Sequence, residues 1–202
     1  MRQAARSAAT TKAILAAAQE LFKTRGYEAV SIDEIAQAAG YKKGAFYHQF
    51  PSKRDVFEQV LDGVQAGLAA RLMERAAGAP KGASPRAVAQ SIQAYVESAI
   101  QPDARRILLI DGPVVLGWQR WREIDDKHFA GIVRASVTGL MGRDAKAAQI
   151  ESATRLLLGA IMEAALASGT ADDPAAAARA HCATLELLLS GLCPSSGDAG
   201  RA

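Results

Sequence analysis

The sequence predicts an all-α protein, and three observations support that fold class. Alanine is abundant while valine, isoleucine, threonine and aromatic residues are sparse, a balance that favours helix over sheet. Apolar residues recur at helical spacing in one segment after another. Capping serines, glycines and prolines stand between these segments. The chain has 202 residues, half of them apolar, and is long enough to bury a core of this kind.

The N-terminal quarter contains three predicted helices. The first carries an apolar stripe over 14–22 and ends at Gly26, a residue able to adopt positive φ. Ser31, with a glutamate three residues later, predicts a capping box at the start of the second helix, which ends at Gly40. The third helix covers only about 42–49. Two helices joined by a turn, the second of them short, are typical of a helix-turn-helix unit whose second helix enters a DNA groove.

The rest of the chain is also predicted to be helical. A fourth helix starts at Ser52, a Gly- and Pro-rich loop covers 76–85, and a fifth helix is closed by Pro102. A short apolar helix is expected to break at Gly112-Pro113, before a segment with both tryptophans. Two long alanine- and leucine-rich helices follow at about 144–168 and 174–192.

The charge is unevenly distributed along the chain. Residues 1–54 contain nine Lys or Arg and four Asp or Glu, whereas the remainder contains fifteen and seventeen. The basic segment 1–54, called the head below, precedes a slightly acidic remainder, called the body. This asymmetry indicates that the head binds a polyanion. Arg2, Arg6 and Lys12 are either a disordered basic start or an arm onto DNA.

Several classes of protein are excluded by what the sequence lacks. No run of 18 uncharged apolar residues occurs and the N-terminus has no secretory signal, so we expect a cytoplasmic protein without a membrane partner. Cys182 and Cys193 would be about 16 Å apart on one helix, too far to pair, and are expected to be reduced thiols. The histidines have no metal-like spacing, and no nucleophile or phosphate-loop motif is present. We therefore expect no catalytic residues, metal or cofactor, and no enzymatic activity.

The segment 10–57 reads TTKAILAAAQELFKTRGYEAVSIDEIAQAAGYKKGAFYHQFPSKRDVF. It resembles the DNA-binding domain of the TetR family of bacterial transcriptional regulators. The features that carry the resemblance are the IL..A..LF..G helix, Ser31, Ile35-Ala36, Ala39-Gly40, Gly44, Phe46-Tyr47, Phe50 and Ser52-Lys53.

The resemblance implies a helical homodimer that places two copies of its third helix in successive major grooves of a palindromic operator. A small-molecule effector in the larger domain would control the affinity for DNA, and repression is the family's usual mode. We therefore expect a helix-turn-helix DNA-binding domain at 1–55, a helical effector-binding and dimerisation domain at 56–193, and a disordered tail at 194–202. The alternative is a helical adaptor that binds a ligand or protein without binding DNA.

The candidate DNA contacts are Ser31, Lys42, Lys43, Gly44, Tyr47, His48 and Lys53. Lys42 and Lys43 begin the third helix, where free N–H groups and the helix dipole favour phosphate, and Lys43 can also reach guanine. Gly44 leaves room for a close approach to a DNA strand. Phe46 and Phe50, four residues apart, are expected to pack inward.

Other candidates rest more heavily on the resemblance. Tyr47 and His48 match family contact positions, Lys53 can clamp phosphate at the start of the fourth helix, and Ser31 can serve as cap and as phosphate contact. Taken singly, each of these is also an ordinary surface residue, so the prediction rests on their ordered combination. The family usually has Ser or Thr in place of Lys42, and the lost cap would cost about 1 kcal/mol.

The larger domain offers weaker indications of a site. Trp118, Trp121 and Arg122 are candidate ligand-binding residues, since two indoles beside a charged group resemble the wall of a small-molecule pocket. Core packing or a dimer edge is the alternative for this group, and Tyr95 and Phe129 are expected to be core residues. Dimerisation is predicted for the last two helices, unless their apolar residues are buried within one subunit. The residues concerned are Gly159, Ala160, Ala164, Ala165, Leu185, Leu188, Leu189 and Leu192.

Overall fold

The computed structural model describes residues 2–77, 84–142 and 144–194, and all regular structure in these ranges is helical. This confirms the predicted all-α fold class. Of the predicted loop and tail, residues 78–83 and 195–202 lie outside the described residues. The elements are α1 Arg2–Arg25, α2 Ile32–Ala38, α3 Lys43–Gln49, α4 Lys53–Ala77, α5 Pro85–Ala99, α6 Pro102–Arg105, a π-helical segment Arg106–Asp111, α7 Gly112–Leu116, α8 Trp118–Met141, α9 Ala147–Thr170 and α10 Pro174–Ser190.

Contacts divide the chain into two compact units that are not continuous in sequence. The first unit contains residues 1–67 and 101–124, and the second contains 68–100 and 125–202. Helices α4 and α8 each begin in the first unit and end in the second. The predicted domain limits at 55 and 193 stay a prediction, because a division by contacts identifies compact units and not family domains.

The helix ends of the N-terminal quarter follow from local sequence. Gly26 and Gly40 adopt φ of +83° and +78°, the left-handed conformation in which a side chain would be strained. Ser31 caps α2, with its side chain accepting from the Glu34 N–H and the Glu34 side chain accepting from the Ser31 N–H. This is the predicted capping box. Helix α1 begins at Arg2, so the basic start of the described chain is helical.

Aromatic side chains from α1, from α3 and the residue that follows it, and from α4 form part of the core of the first unit. Phe22 and Phe57 are fully buried, with ring centroids 5.3 Å apart. Phe46 and Phe50 of α3 are also buried, 5.8 Å apart, which confirms that they pack inward. Burial of a phenylalanine side chain contributes about 1.5 to 3 kcal/mol. These anchors therefore fix which side of the short α3 faces outward.

The segment 101–124 is held against this head by polar contacts. The Tyr27 N–H donates to Asp111 Oδ2 at 2.8 Å, and the Arg54 guanidinium donates to the Leu116 carbonyl at 3.0 Å. Arg120 donates to Glu58 Oε1 at 2.6 Å. Because these bonds join distant parts of the sequence, the compact unit includes a segment that the sequence assigns to the body.

The expected break at Gly112-Pro113 was wrong. The π-helical segment passes directly into α7, and the chain leaves helical geometry only at Gly117, with φ of +77°. Pro113 lies in the first turn of α7, directly after the π-helical segment. Gly112 is instead required for close packing, because a Cβ there would lie 2.9 Å from the Ile107 carbonyl oxygen.

The second unit packs α10 against α5 and α9, and α5 against α9. Its buried residues include Val96, Leu158, Leu185 and Leu189. Cys182 is buried, which raises the pKa of its thiol to about 11, and Cys182 and Cys193 are both free, as predicted. An inert buried thiol accounts for this cysteine.

Candidate nucleic-acid interface and effector cavity

Helix α3 has one buried side and one exposed side. Phe46 is fully buried, whereas Tyr47 is 50% exposed and its neighbour His48 is also exposed. Lys42, Lys43 and Gly44, at the start of the helix, are exposed as well. Most of the candidate DNA contacts therefore lie together on the outward surface of one short helix.

Lys42 occupies the N-cap position of α3 without acting as a cap. Its backbone is extended, with φ of −87° and ψ of 157°, and its side chain makes no capping hydrogen bond. This agrees with the expected loss of a cap, because an ammonium group cannot accept a hydrogen bond. The first N–H groups of α3 therefore lack a side-chain acceptor from this position.

Lys43 forms an ion pair that the sequence did not predict. Its Nζ donates to Asp33 Oδ2 of α2 at 2.9 Å, and both side chains are exposed. The hydrogen bond from this ammonium to Asp33 raises the pKa of Lys43. A contact from Lys43 to guanine or phosphate would have to replace this pair.

Ser31 and Glu34 are hydrogen-bonded to each other at the start of α2. The Ser31 hydroxyl donates to Glu34 Oε2 at 2.8 Å, and the Ser31 N–H donates to the same oxygen at 2.8 Å. The bond from the Ser31 N–H, followed by that from the Arg25 guanidinium, lowers the pKa of Glu34 from 4.5 to about 2. Ser31 is therefore a structural cap here, and its phosphate contact stays a prediction.

Lys53 is half-buried and its ammonium group has protein partners. It donates to the Tyr27 carbonyl at 2.8 Å and the Val30 carbonyl at 2.9 Å, and lies 4.1 Å from the centroid of the Tyr27 ring. These contacts tie the start of α4 to the loop before α2. The clamp onto phosphate stays a prediction, with one of the three ammonium protons left for it.

Sequence reasoning missed the residues that support His48. Gln49 Oε1 accepts from the Ser7 hydroxyl at 2.9 Å and the Thr11 hydroxyl at 3.0 Å, both on α1. Its amide nitrogen lies 3.2 Å from His48 Nδ1. No local pattern indicates this network, because it joins residues 42 and 38 positions apart.

The second unit contains a largely apolar cavity of about 120 Å³. Helices α4, α5, α8 and α9 supply its lining, and Asp125 is the one charged side chain among the described lining residues. The Tyr95 hydroxyl donates to Asp125 Oδ1 at 3.3 Å, and the Tyr95 and Phe129 rings are 4.8 Å apart. The lining residues are Leu72, Val88, Ser91, Ile92, Tyr95, Asp125, Phe129, Ile132, Val133, Ser136, Leu157, Leu158, Ile161 and Met162.

The predicted ligand-binding residues are not in this cavity. Trp121 is 2% exposed and Trp118 is 53% exposed, with ring centroids 5.1 Å apart, and both belong to the first unit. Arg122 is half-buried in the same unit. None of these three residues is in the lining of the cavity, and a ligand at Trp118 stays a prediction.

One feature of the sequence does indicate the cavity. Asp125 precedes Phe129 by four residues and Val133 by eight, so an acidic side chain interrupts the apolar stripe of α8. A buried charge on such a stripe is the signal that sequence reasoning overlooked. Tyr95 and Phe129 are buried, as expected of core residues, and also line the cavity.

The last two helices both bury and expose apolar residues. Ala164 and Leu185 are buried within the chain, whereas Leu156, Leu187 and Leu188 are exposed. The apolar residues named for dimerisation are thus partly used inside one subunit. Exposed leucines therefore remain on both α9 and α10.

The described residues hold no group of histidine, cysteine or acidic side chains arranged to bind a metal ion. Within the same ranges, none of the helices combines the length and the apolar character needed to cross a membrane.

Comparison with known families covers both units. Residues 14–60 match the family described as bacterial regulatory proteins, tetR family, and residues 85–192 match the tetracyclin repressor-like C-terminal domain. The second match alone covers over half of the chain.

Individual relatives agree with these matches. The Transposon Tn10 TetC protein of Escherichia coli is 29% identical over 65% of this chain and 66% of its own length. The transcriptional regulator AcrR of Shigella flexneri is 33% identical over 50% of this chain and 46% of its own length. The chain thus spans less than two thirds of each of these relatives.

A solved structure matches nearly the whole fold. The crystal structure of a TetR-family transcriptional regulator from Pectobacterium atrosepticum superposes with a TM-score of 0.78 and 28% identity, covering 95% of this chain and 97% of that one. Proteins of this family are DNA-binding regulators and not enzymes. With its helix-turn-helix head and its tetracyclin repressor-like body, this chain belongs to the TetR family of bacterial transcriptional regulators.

Proposed function

We propose that this protein is a homodimeric repressor that binds a palindromic operator and is released from it by a small molecule. The observation that carries the proposal is the outward surface of α3, where Lys42, Lys43, Tyr47 and His48 are exposed together. A solvated surface helix has little use for this combination. Basic groups neutralise phosphates, and the exposed Gly44 lets the helix backbone approach the DNA closely.

A dimer supplies the second recognition helix. Two copies of α3 must lie about 34 to 36 Å apart to enter successive turns of the major groove on one face of the duplex. The exposed side chains of Leu156, Leu187 and Leu188 on α9 and α10 support a four-helix interface between two subunits. Such an interface is symmetric, and this matches the palindromic operator.

The cavity of the second unit is the proposed effector site. Helices α4 and α8 supply lining residues and each also has its first turns in the first unit. A ligand that binds more tightly to the DNA-incompetent conformation would shift the population away from the operator-bound form. A coupling free energy of about 1 to 3 kcal/mol corresponds to a change in affinity of about 5 to 150-fold.

The test is binding of the purified protein to a palindromic DNA fragment from upstream of its own gene, followed by fluorescence anisotropy at several salt concentrations. The logarithm of the association constant should fall linearly with the logarithm of salt, by about 0.9 for each phosphate contacted. Lys43→Ala should weaken operator binding about tenfold while the protein stays dimeric.

Asp33→Asn is the matched control for Lys43→Ala. Both variants break the ion pair between α2 and α3, but only Asp33→Asn leaves the ammonium group in place. We expect Asp33→Asn to keep or raise operator affinity. An affinity that is independent of salt, or an equal loss in both variants, would show that Lys43 does not act on DNA.

A further inference from the structure

Gln49 is the last residue of α3, and its side chain links that helix to α1. The side-chain oxygen Oε1 accepts from the Ser7 hydroxyl at 2.9 Å and from the Thr11 hydroxyl at 3.0 Å, and both hydrogen bonds are part-buried. Because Ser7 and Thr11 are four residues apart, they lie on one face of α1. Two bonds to one oxygen from the same helix face restrict the rotation of the Gln49 amide more than a single bond does.

The other end of this amide contacts His48. Nε2 of Gln49 lies 3.2 Å from His48 Nδ1, and His48 is exposed whereas Gln49 is half-buried. The contact uses one of the two ring nitrogens, so the other can still bond to DNA. The side chain of Gln49 therefore connects α1 to an exposed imidazole on the outward surface of α3.

The bonds of Gln49 to α1 differ from the ion pair at the start of α3. A contact from Lys43 to DNA would have to replace the bond from its ammonium group to Asp33. The α1 hydroxyls bonded to Gln49 are not among the candidate DNA contacts, so these hydrogen bonds can persist when α3 is in the groove. A support that persists lowers the entropic cost of binding, because the His48 ring has fewer orientations to lose.

We propose that Gln49 is a positioning residue for operator recognition, which holds the His48 imidazole in the orientation that contacts DNA. Gln49 bonds to α1 on one side, contacts the imidazole on the other, and acts on DNA only through His48. This role rests on the proposed function and adds to it a residue outside the predicted DNA contacts. Holding one side chain in place before binding raises affinity by about 3 to 10-fold.

The first experiment is a double-mutant cycle of Gln49 and His48. Anisotropy with the palindromic upstream fragment gives the operator affinity of wild type, Gln49→Met, His48→Ala and the double variant. Methionine is close to glutamine in length and helix propensity but has no amide group. We expect Gln49→Met to weaken binding by about 3 to 10-fold when His48 is present, and by less than about 1.5-fold in the His48→Ala background.

The cycle distinguishes positioning of His48 from a merely structural role. If Gln49 only stabilised α3 against α1, then its loss would weaken operator binding by the same factor with and without the imidazole. Equal factors in the two backgrounds therefore contradict the inference. It is also contradicted if His48→Ala itself leaves the affinity unchanged, because Gln49 then has no contact to act through.

The second experiment changes α1 and leaves α3 intact. Ser7→Ala combined with Thr11→Val removes both hydroxyls that donate to Gln49, and should weaken operator binding by about 3 to 10-fold, again only when His48 is present. Thr10→Val is the matched control, because the Thr10 hydroxyl donates to the carbonyl four residues earlier on its own helix, at 3.0 Å. It should leave the affinity unchanged.

Circular dichroism and thermal melting verify that each variant is folded. The α1 variant keeps the sequence of α3, so it tests the inference even if Gln49→Met does not fold. Unchanged affinity in the α1 variant, or an equal loss in Thr10→Val, overturns the inference. Failure of the wild-type protein to bind the operator contradicts the proposed function instead, whereas normal wild-type binding without these effects contradicts only the role of Gln49.

Discussion

Lys43 and Asp33 illustrate what happens at the scale of single residues. Each is identifiable from the sequence as a charged surface residue, but their ion pair joins two helices and depends on how α2 and α3 cross. The same holds for Gln49, whose partners Ser7 and Thr11 lie on α1. The polar or charged character of these side chains is therefore evident from the sequence, whereas the groups that they bond to are not.

Gly44 gives a residue-scale prediction. A Cβ at this position meets no atom within 4 Å, and the residue lies in the first turns of a helix. Gly44→Ala should therefore raise the free energy of unfolding by about 0.5 to 1 kcal/mol, because alanine loses less backbone entropy than glycine. The same methyl group should weaken operator binding if the backbone approaches a DNA strand there.

Urea unfolding and anisotropy with labelled operator measure these two effects. Gly63→Ala is the matched control, since Gly63 is also an exposed helical glycine with nothing within 4 Å of its Cβ. It should gain similar stability without loss of DNA binding. Unchanged operator affinity in Gly44→Ala would remove Gly44 from the candidate contacts.

At the scale of elements, most helices were predictable and their junctions were less so. The starts at Ser31 and Ser52 and the ends at Gly26 and Gly40 follow from side-chain acceptors and from positive φ, which are local properties. The passage through Gly112 was not predictable, because that glycine is needed for packing against the side chains of Leu61 on α4 and Trp121 on α8, and not for a break. Helix ends are determined by neighbouring residues in the sequence, whereas helix packing depends on residues that are distant in the sequence.

Helix α3 gives the element-scale prediction. Lys42 has the extended backbone of an N-cap but no capping side chain. Lys42→Ser should therefore stabilise the protein by about 1 kcal/mol, because the serine oxygen can accept from a free N–H of the first turn. Operator affinity at low salt should fall, since one cation at the start of α3 is lost.

Lys42→Ala separates the two effects in the same assays. It removes the charge without adding a cap, so operator affinity should fall as in Lys42→Ser but stability should not rise. If Lys42→Ser does not exceed Lys42→Ala in stability, then α3 does not lack a cap at this position.

At the scale of the whole molecule, the unit boundaries and the cavity were not predictable. Residues 101–124 belong to the compact unit of the head because Asp111, Leu116 and Arg120 bond to it across long sequence separations. The cavity forms where four helices fail to fill the space between them, so it is a property of packing and not of any segment. Trp118 and Trp121 attracted the sequence-based prediction because two indoles beside a charged group resemble a pocket wall, a local pattern that does not locate a cavity.

The exposed leucines of α10 give the prediction at this scale. Leu188→Glu should convert the dimer into a monomer, since it places a charge on the apolar face proposed as the interface. Operator affinity should then fall by at least about tenfold, because the two α3 helices no longer bind as a linked pair. Analytical ultracentrifugation and anisotropy measure the two effects.

Val114→Glu is the control, because Val114 is an exposed apolar residue of the first unit. It should leave the oligomeric state unchanged. If Leu188→Glu remains a dimer, then the dimer interface does not include this face of α10.

The sequence by itself determined the all-α class, the three-helix head, the inward packing of Phe46 and Phe50, and the missing cap of α3. These depend on periodicity, propensity and capping, which act over a few residues. Only the tertiary structure decided that Lys43 is paired with Asp33, that Lys53 is held by two carbonyls, and that Asp125 faces a cavity. Those properties depend on which surfaces of distant helices meet, and local patterns do not specify that.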